Sequence, residues 1–501
     1  MLRFVKGFAI LLTVGITACN TVDPPNIIVI LADDLGYGEL SSYGSTELNT
    51  PGIDQLATDG IRFTQGYCTS ATCTPSRYGI LTGEYPWKNE RARILRGDAP
   101  LILKPGMLTL PSILNEAGYT TAVIGKWHLG LGNGNVNWNE RVSPGPAEVG
   151  FDYSYILAAT QDRTPTVLLE NQKVIGLSQN DPLEVSYKNN FEGEPTGKNN
   201  PEMLKMHPSH GHNQSITNGI SRIGYQRGGK SAMWIDEDLA DTFTNVAVNF
   251  IRENKENPFF IYFTLHQPHV PRTPHARFVG KSGMGPRGDV ILEADWSVGK
   301  LIEAIEEEGL REKTLIVFSS DNGPVLDDGY HDQAVELIGD HNVLGALRGG
   351  KYSLFDGGTR VPFLVSWPGT IKPGVSEALV CQLDLAASIA SLVGVEIGDG
   401  APDSQDVMKA LMGKAKSGRD ELFVEAGSKV ALRKGDWFYI PPYKGAAIHG
   451  SVNIESGCST VDQLYSISKD IGQKNNLAKD YPEVLKEMKA YYAEHKKNPK
   501  K

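Results

Sequence analysis

A cysteine, a proline and an arginine stand close together in the run Cys73-Thr74-Pro75-Ser76-Arg77-Tyr78-Gly79-Ile80-Leu81-Thr82-Gly83. Proline fixes φ and disfavours helix at the residue before it, so Cys73 and Thr74 are expected in a turn. Ser76 to Leu81 can then begin a helix that ends near Gly83. A side chain just ahead of a helix faces free backbone N–H groups and the positive end of the dipole, a place for an anion or a reactive oxygen. Arg77 adds a fixed positive charge with bidentate reach for oxyanions. A second set of groups is oxygen-rich: Asp33-Asp34 and Asp321-Asn322 each follow a strongly apolar run. Two adjacent acids repel, and a cation resolves that repulsion. Such ligands suit a hard cation, calcium or magnesium, rather than zinc. Either pair alone also reads as an ordinary strand end, and Asp-Asn-Gly-Pro is a common turn signal.

These groups need elements to carry them. Residues 26–32 (Asn-Ile-Ile-Val-Ile-Leu-Ala) are apolar after the first and rich in β-branched side chains, the pattern of a central parallel strand buried on both faces. Similar runs occupy 120–124, 258–265 and 314–320, each ending in a polar cluster: Gly125-Lys126-Trp127-His128, His266-Gln267-Pro268-His269 and Asp321-Asn322. Strand ends of this kind are where open α/β sheets place their sites. Helical periodicity is expected at 109–117, 235–253, 291–308, about 383–393 and 482–495. The fold class is therefore α/β, a large, mostly parallel sheet sandwiched by helices. Residues 131–230, rich in Gly, Asn and Pro, read as loops and short strands facing a substrate. Short strands from about residue 420, including 430–433 and 437–440, form a smaller C-terminal unit. The expected division is 1–19 targeting, 26–400 main domain and 401–501 C-terminal subdomain.

The chain of 501 residues carries a net charge of -10, which argues against nucleic-acid binding yet leaves room for a locally positive site. Arg3 and Lys6 precede an apolar run, 8–16, too short to span a bilayer, and Ile16-Thr17-Ala18-Cys19 follows. This end resembles a bacterial lipoprotein box with Cys19 lipidated; an ordinary signal peptide cut after Ala18 is the alternative. Both place the protein outside the cytoplasm, periplasmic or at the cell surface. Membrane contact is expected only through that lipid. Among Cys68, Cys381 and Cys458 at most one disulfide can form, and the sequence does not choose the pair.

The run from Cys73 to Gly83, with Leu81-Thr82-Gly83 at its end, resembles the signature of the type I, formylglycine-dependent sulfatases of the alkaline phosphatase superfamily. The resemblance extends from Asn26 to about Pro368, with an echo at the C-terminus, where the family has four antiparallel strands and a helix. It implies that Cys73 is oxidised by a maturase to formylglycine, whose hydrate attacks the sulfur of a sulfate ester. It implies that Asp33, Asp34, Asp321, Asn322 and the modified residue 73 hold Ca2+, with Mg2+ less suited. The matching Lys126 and His128 contact the nucleophile, and His128 is the expected base for the step that expels sulfate. His269 binds sulfate and serves as acid for the leaving alcohol, while Lys351, after Arg348-Gly349-Gly350, is a second sulfate-binding lysine. Arg77 completes the catalytic set.

Other histidines and acids are less defined. His266 reads as substrate contact or as packing. The cluster His207-Pro208-Ser209-His210-Gly211-His212 reads as a polar loop rather than a zinc site. Asp162-Arg163, Asp327-Asp328, His331, Asp340 and His341 fall near the expected pocket mouth, where they could meet sugar hydroxyls. The function implied is hydrolysis of a sulfate ester on a sulfated saccharide, with a galactose-type sugar favoured by the resemblance. A phosphate or phosphonate monoester hydrolase on the same scaffold, or a silent glycan-binding lipoprotein, are the alternatives.

Overall fold

Strand Asn26–Ala32 lies at the middle of the protein. We describe it from a computed structural model covering residues 24–497; the run expected to serve in targeting, with Cys19, lies outside the described residues. Successive side chains on a strand point to opposite faces. Accordingly Ile27, Val29 and Leu31 enter one hydrophobic core, and Ile28, Ile30 and Ala32 the other. Burial on both sides is why the segment reads as a continuous apolar run and not as an alternating one.

Phe259–Thr264 and Thr314–Ser320 pair with this strand on either side, both in parallel. Thr120–Lys126 and then Tyr153–Leu157 extend the parallel block. The edges are antiparallel: Phe363–Ser366 joins Thr314–Ser320 to Gly60–Phe63, and Leu168–Glu170 closes on Tyr153–Leu157. The result is a mixed sheet of 10 strands with a parallel centre. Parallel alignment puts the polar ends of the four central strands on one edge of the sheet, which is how Asp33, Lys126, His266 and Asp321 come to the same place.

Helices cover both faces. Leu239–Asn254 and Gly285–Glu307 pack on one, through Phe243, Ile251, Ile291 and Val298. Cys73–Thr82, Leu110–Glu116 and Leu385–Val393 cover the other, through Ile80, Leu81, Leu114 and Ile389. The fifth parallel strand, Tyr153–Leu157, emerges from a region read as loops and short strands. Its Tyr-Ser-Tyr start alternates between half-buried and buried positions, so it lacks the unbroken apolar signature of the other four.

A separate sheet of four antiparallel strands, Glu421–Ala426, Lys429–Lys434, Trp437–Ile440 and Gln463–Ser466, is followed by helix Pro482–Lys497. Its first strand grips the main body. Ala71 N–H donates to the Glu425 carbonyl at 2.7 Å, and Glu425 N–H donates to the Thr69 carbonyl at 2.9 Å. The C-terminal sheet thus fixes the loop that leads into Cys73. Among the described residues no helix is long and apolar enough to cross a membrane.

Candidate active site

Cys73 is the first residue of helix Cys73–Thr82, with Thr72 extended before it and Gly83 closing the helix in the left-handed conformation. The expected turn at Cys73 and Thr74 is therefore already helical. Pro75 lies in the first turn, where its missing N–H would have had no carbonyl partner within the helix. The helix start is held on two sides. Ser76 Oγ donates to the Ser70 carbonyl at 2.9 Å, and Thr74 Oγ1 donates to the His128 carbonyl at 2.9 Å.

The four strand ends converge on Cys73. One ligand atom each from Asp33, Cys73 and Asp321 lies within 4.8 Å of the others, and the same is true of Asp33, Asp34 and His269. Asn322 Nδ2 donates to Asp34 Oδ1 at 2.7 Å. Two acceptors in this buried cluster, Asp33 Oδ1 and Asn322 Oδ1, have no hydrogen-bond partner. Buried polar atoms are ordinarily satisfied, so orphaned oxygens beside converging acids mark a place for a cation. Burial pushes the Asp33 carboxyl well up, Asp321 and Asp34 add to the effect, and Lys126 opposes it. The residues present fit an oxygen-coordinated ion such as calcium.

The cations are placed around these acids. Lys126 Nζ donates to Asp33 Oδ2 at 2.6 Å and lies 3.9 Å from Asp321 Oδ2. Lys351 Nζ donates at 2.8 Å both to Asp34 Oδ2 and to Asp328 Oδ2. Burial alone would raise Asp34, but Lys351, His269 and Lys126 hold it well below the usual carboxylate range. Arg77, expected to offer its charge to an oxyanion, is bonded to groups around the cluster. Its Nε donates to Asp321 Oδ2 at 2.9 Å and its NH1 to the Lys126 carbonyl at 2.8 Å, and the side chain is fully buried. It acts on the reacting groups by holding Asp321 and the end of the Lys126 strand.

Both histidines have a defined tautomer by elimination. A carbonyl oxygen can only accept, so His128 Nε2, 3.1 Å from the Leu95 carbonyl, carries the proton. His128 Nδ1 is left with a lone pair and, buried, has no partner. Burial, with Lys126 and Arg163 nearby, pushes this imidazole well below its ordinary range, so it is neutral and free to accept a proton. His269 Nδ1 donates to the Val270 carbonyl at 2.7 Å, which leaves Nε2 facing Asp34 Oδ2 at 3.9 Å. Burial and Lys351 push His269 down to about 4 against the pull of Asp34. His266 is buried with its ring against Phe243, centroids 6.0 Å apart, a packing contact.

Two site residues have left-handed backbones, Asp34 at φ 68° and His128 at φ 53°. Outside glycine such conformations are uncommon and concentrate at functional sites.

Sequence reasoning underrated a neighbouring group. Asp162 Oδ2 accepts from His212 Nε2 at 2.8 Å and Asp162 Oδ1 from Arg163 NH1 at 2.9 Å. Burial would raise Asp162, yet Arg163 and His212 hold it well below the usual range, and His269 contributes. Arg163 is near enough for its charge to act on His128 and Cys73. Asp162-Arg163 lie in the loop that leaves Tyr153–Leu157; recognising that strand would have promoted them. His212 leaves the polar loop to join them, while His210 lies by Ser209 and Asp327. Asp328 belongs to the centre as the partner of Lys351, but His331 and Asp340 are exposed and His341 faces Glu39. Cys68, Cys73, Cys381 and Cys458 are free thiols.

A family model described as Sulfatase matches residues 25–395. The N-acetylgalactosamine-6-O-sulfatase of Bacteroides thetaiotaomicron is 47% identical over 97% of this chain and 97% of its own length. Human arylsulfatase A is 31% identical over 93% of this chain and 86% of its own. A solved structure from work on the metabolism of multiple glycosaminoglycans by Bacteroides thetaiotaomicron superposes with a TM-score of 0.94 at 47% identity, covering 95% of this chain and 100% of that one.

Proposed function

The chain belongs to the sulfatase family and is a sulfuric ester hydrolase; on that premise we propose that it removes sulfate from a saccharide through residue 73 in its formylglycine form. The substrate that fits the reading best is an N-acetylgalactosamine-type residue bearing a 6-O-sulfate, as named for the relative at 47% identity. The observation that carries the proposal is the convergence of Cys73, at a helix start, with Asp33 and Asp321 in a buried cluster holding two orphaned acceptor oxygens.

Asp33, Asp34, Asp321, Asn322 and residue 73 would hold calcium, with magnesium the less suited ion. Bound there, the cation supplies polarisation of a sulfate oxygen and favours the ionised nucleophile. The formylglycine hydrate supplies one hydroxyl to attack sulfur and a second whose deprotonation releases sulfate without a hydrolytic water. Sulfur here stands where those oxygens would be. A maturase must act on Cys73 first.

This chain's own groups do the rest. Lys126, Lys351 and His269 converge on the place where a sulfate's charge must be held. An anion arriving beside His269 offsets the burial and the Lys351 charge that keep it neutral, so His269 gains the proton needed at the leaving oxygen. His128 Nδ1 is the base, its tautomer fixed through Leu95. Arg77 is a positioning residue that locks Asp321. Asp162, Arg163 and His212 form a rigid, hydrogen-bonded group suited to reading sugar hydroxyls. His266 packs. The catalytic unit is assigned to 26–400 and the small subdomain to 401–501. Export, with Cys19 as a lipid anchor, completes the reading.

The test is a side-by-side rate comparison on an aryl sulfate, an aryl phosphate, a phosphonate ester and 6-O-sulfated N-acetylgalactosamine. The proposal expects the two sulfates to dominate. Faster phosphonate or phosphate hydrolysis would overturn it.

A further inference from the structure

Between the start of the signature helix and the C-terminal sheet lies a cavity of about 620 Å³, within the roughly 300–1,000 Å³ of small-molecule sites. Part of its lining adjoins the reaction centre along the chain. Thr72 and Pro75 bracket Cys73 in the chain, and Tyr352 follows Lys351. The lining also includes Trp87, Tyr443, His449 and the buried Glu425, with Glu90, Arg93 and Lys429 exposed.

Tyr352 links the two compartments. Its hydroxyl donates to Asp328 Oδ1 at 3.1 Å, and Asp328 Oδ2 takes Lys351 Nζ. Its backbone sits at φ 71°, a genuine outlier for a bulky side chain. Two contacts enforce that conformation: Tyr352 N–H donates to the Ala71 carbonyl at 2.8 Å, and His449 Nε2 donates to the Tyr352 carbonyl at 3.1 Å. The fold therefore tolerates strain at a residue that both bonds the Lys351–Asp328 pair and lines the cavity.

The cavity's other walls are also fixed in place. Tyr443 OH donates to the Ser456 carbonyl at 3.0 Å, and Trp87 stacks on Tyr85 with centroids 5.7 Å apart. Aromatic rings together with a carboxyl and an imidazole match a sugar, which offers C–H faces and hydroxyls together. Burial pushes the Glu425 carboxyl up to about 8, so at neutral pH it can donate as well as accept toward a hydroxyl. The exposed Arg93 and Lys429 suit the sulfate or carboxylate of an anionic glycan.

We propose that this cavity is a second sugar subsite, holding the residue glycosidically joined to the sulfated one, so that a sulfated oligosaccharide is preferred over the sulfated monosaccharide. The inference rests on the carbohydrate-sulfatase reading above and goes beyond it in assigning the C-terminal sheet and Trp87 a part in recognition.

The test compares kcat/KM on a 6-O-sulfated monosaccharide with that on the same residue in a disaccharide and a tetrasaccharide, using protein verified as converted at Cys73. The wild type should favour the longer substrates by about ten-fold or more, mainly through KM. Trp87→Ala should lower that ratio about ten-fold, and Lys429→Ala, at an exposed position that does not burden folding, by a few-fold. Equal values on all three substrates in the wild type, or a ratio unmoved by both variants, would overturn the subsite. Hydrolysis of an aryl sulfate but of none of the saccharides would overturn the carbohydrate reading itself, and the subsite with it.

Discussion

The two ends of the substrate path are built differently. At the reaction end, Asp33, Lys126 and Asp321 stand at the ends of parallel strands in the centre of one sheet, all buried, with Lys126 facing both acids. At the saccharide end, Asp162, His212, Tyr352, Trp87 and Glu425 come from loops, the short helix Pro86–Lys88 and the C-terminal sheet. The first end takes its accuracy from the sheet, whose register leaves no freedom. The second is assembled across long sequence separations and held by side-chain bonds such as His212 to Asp162. Chemistry should therefore be fragile and all-or-none at the first end, and adjustable at the second.

The largest effect expected is at residue 73. Cys73→Ala should reduce turnover by about 10⁴-fold or more in steady-state assays, with the circular dichroism spectrum unchanged. Unfolding of this variant would mean that Cys73 is needed for packing and not only for chemistry. Next comes Lys126→Ala, which leaves Asp33 buried without its partner. It should lower kcat by about 10³-fold and destabilise the fold by roughly 3 kcal/mol in denaturant melts; a loss confined to KM would break the view that this end acts as one unit. Asp162→Asn should be milder and selective, costing about 10- to 100-fold in kcat/KM on the sulfated sugar and less on a small aryl sulfate. Equal losses on both would move Asp162 to the reaction end.

The smallest effect concerns pH. Glu425 has its folded value raised from 4.5 to about 8 by burial, against the opposing pull of Ser70, Arg93 and Lys496. The folded state thus binds a proton that the unfolded state has released. The stability this gives is present below about pH 4.5 and is lost as pH rises through about 8, at roughly 1 kcal/mol per unit across that window. Glu425→Gln should flatten that slope in melts taken from pH 5 to 9. An unchanged slope would assign it to other groups, such as Glu293, which burial raises to about 7.

The same contrast explains what the sequence made legible. Four central strands announce themselves because burial on both faces demands unbroken apolar runs, and the acids that follow them stand at fixed positions. Asp33, Asp34, Lys126, Asp321 and Asn322 were accessible for that reason. Tyr153–Leu157 hid because its first residues alternate, and with it went the weight of Asp162-Arg163. Cys73 reads as a turn because Pro75 disfavours helix before it, whereas the first helical turn accepts that proline. The pairing of His212 with Asp162, 50 residues apart, and of Glu425 with the Thr69–Ala71 loop leaves no periodic trace. Asp328 was placed near the pocket mouth, but its pairing with the buried Lys351 was not legible, because that carboxylate lies in a loop without periodicity.

The central claim is that residue 73 reacts as formylglycine beside a cation. Peptide mass spectrometry across 73–83 of protein whose specific activity is known tests it most directly. The account predicts the mass of the aldehyde or its hydrate, in a fraction that rises and falls with activity across preparations. Full sulfatase activity in protein whose Cys73 is wholly an unmodified thiol would contradict it.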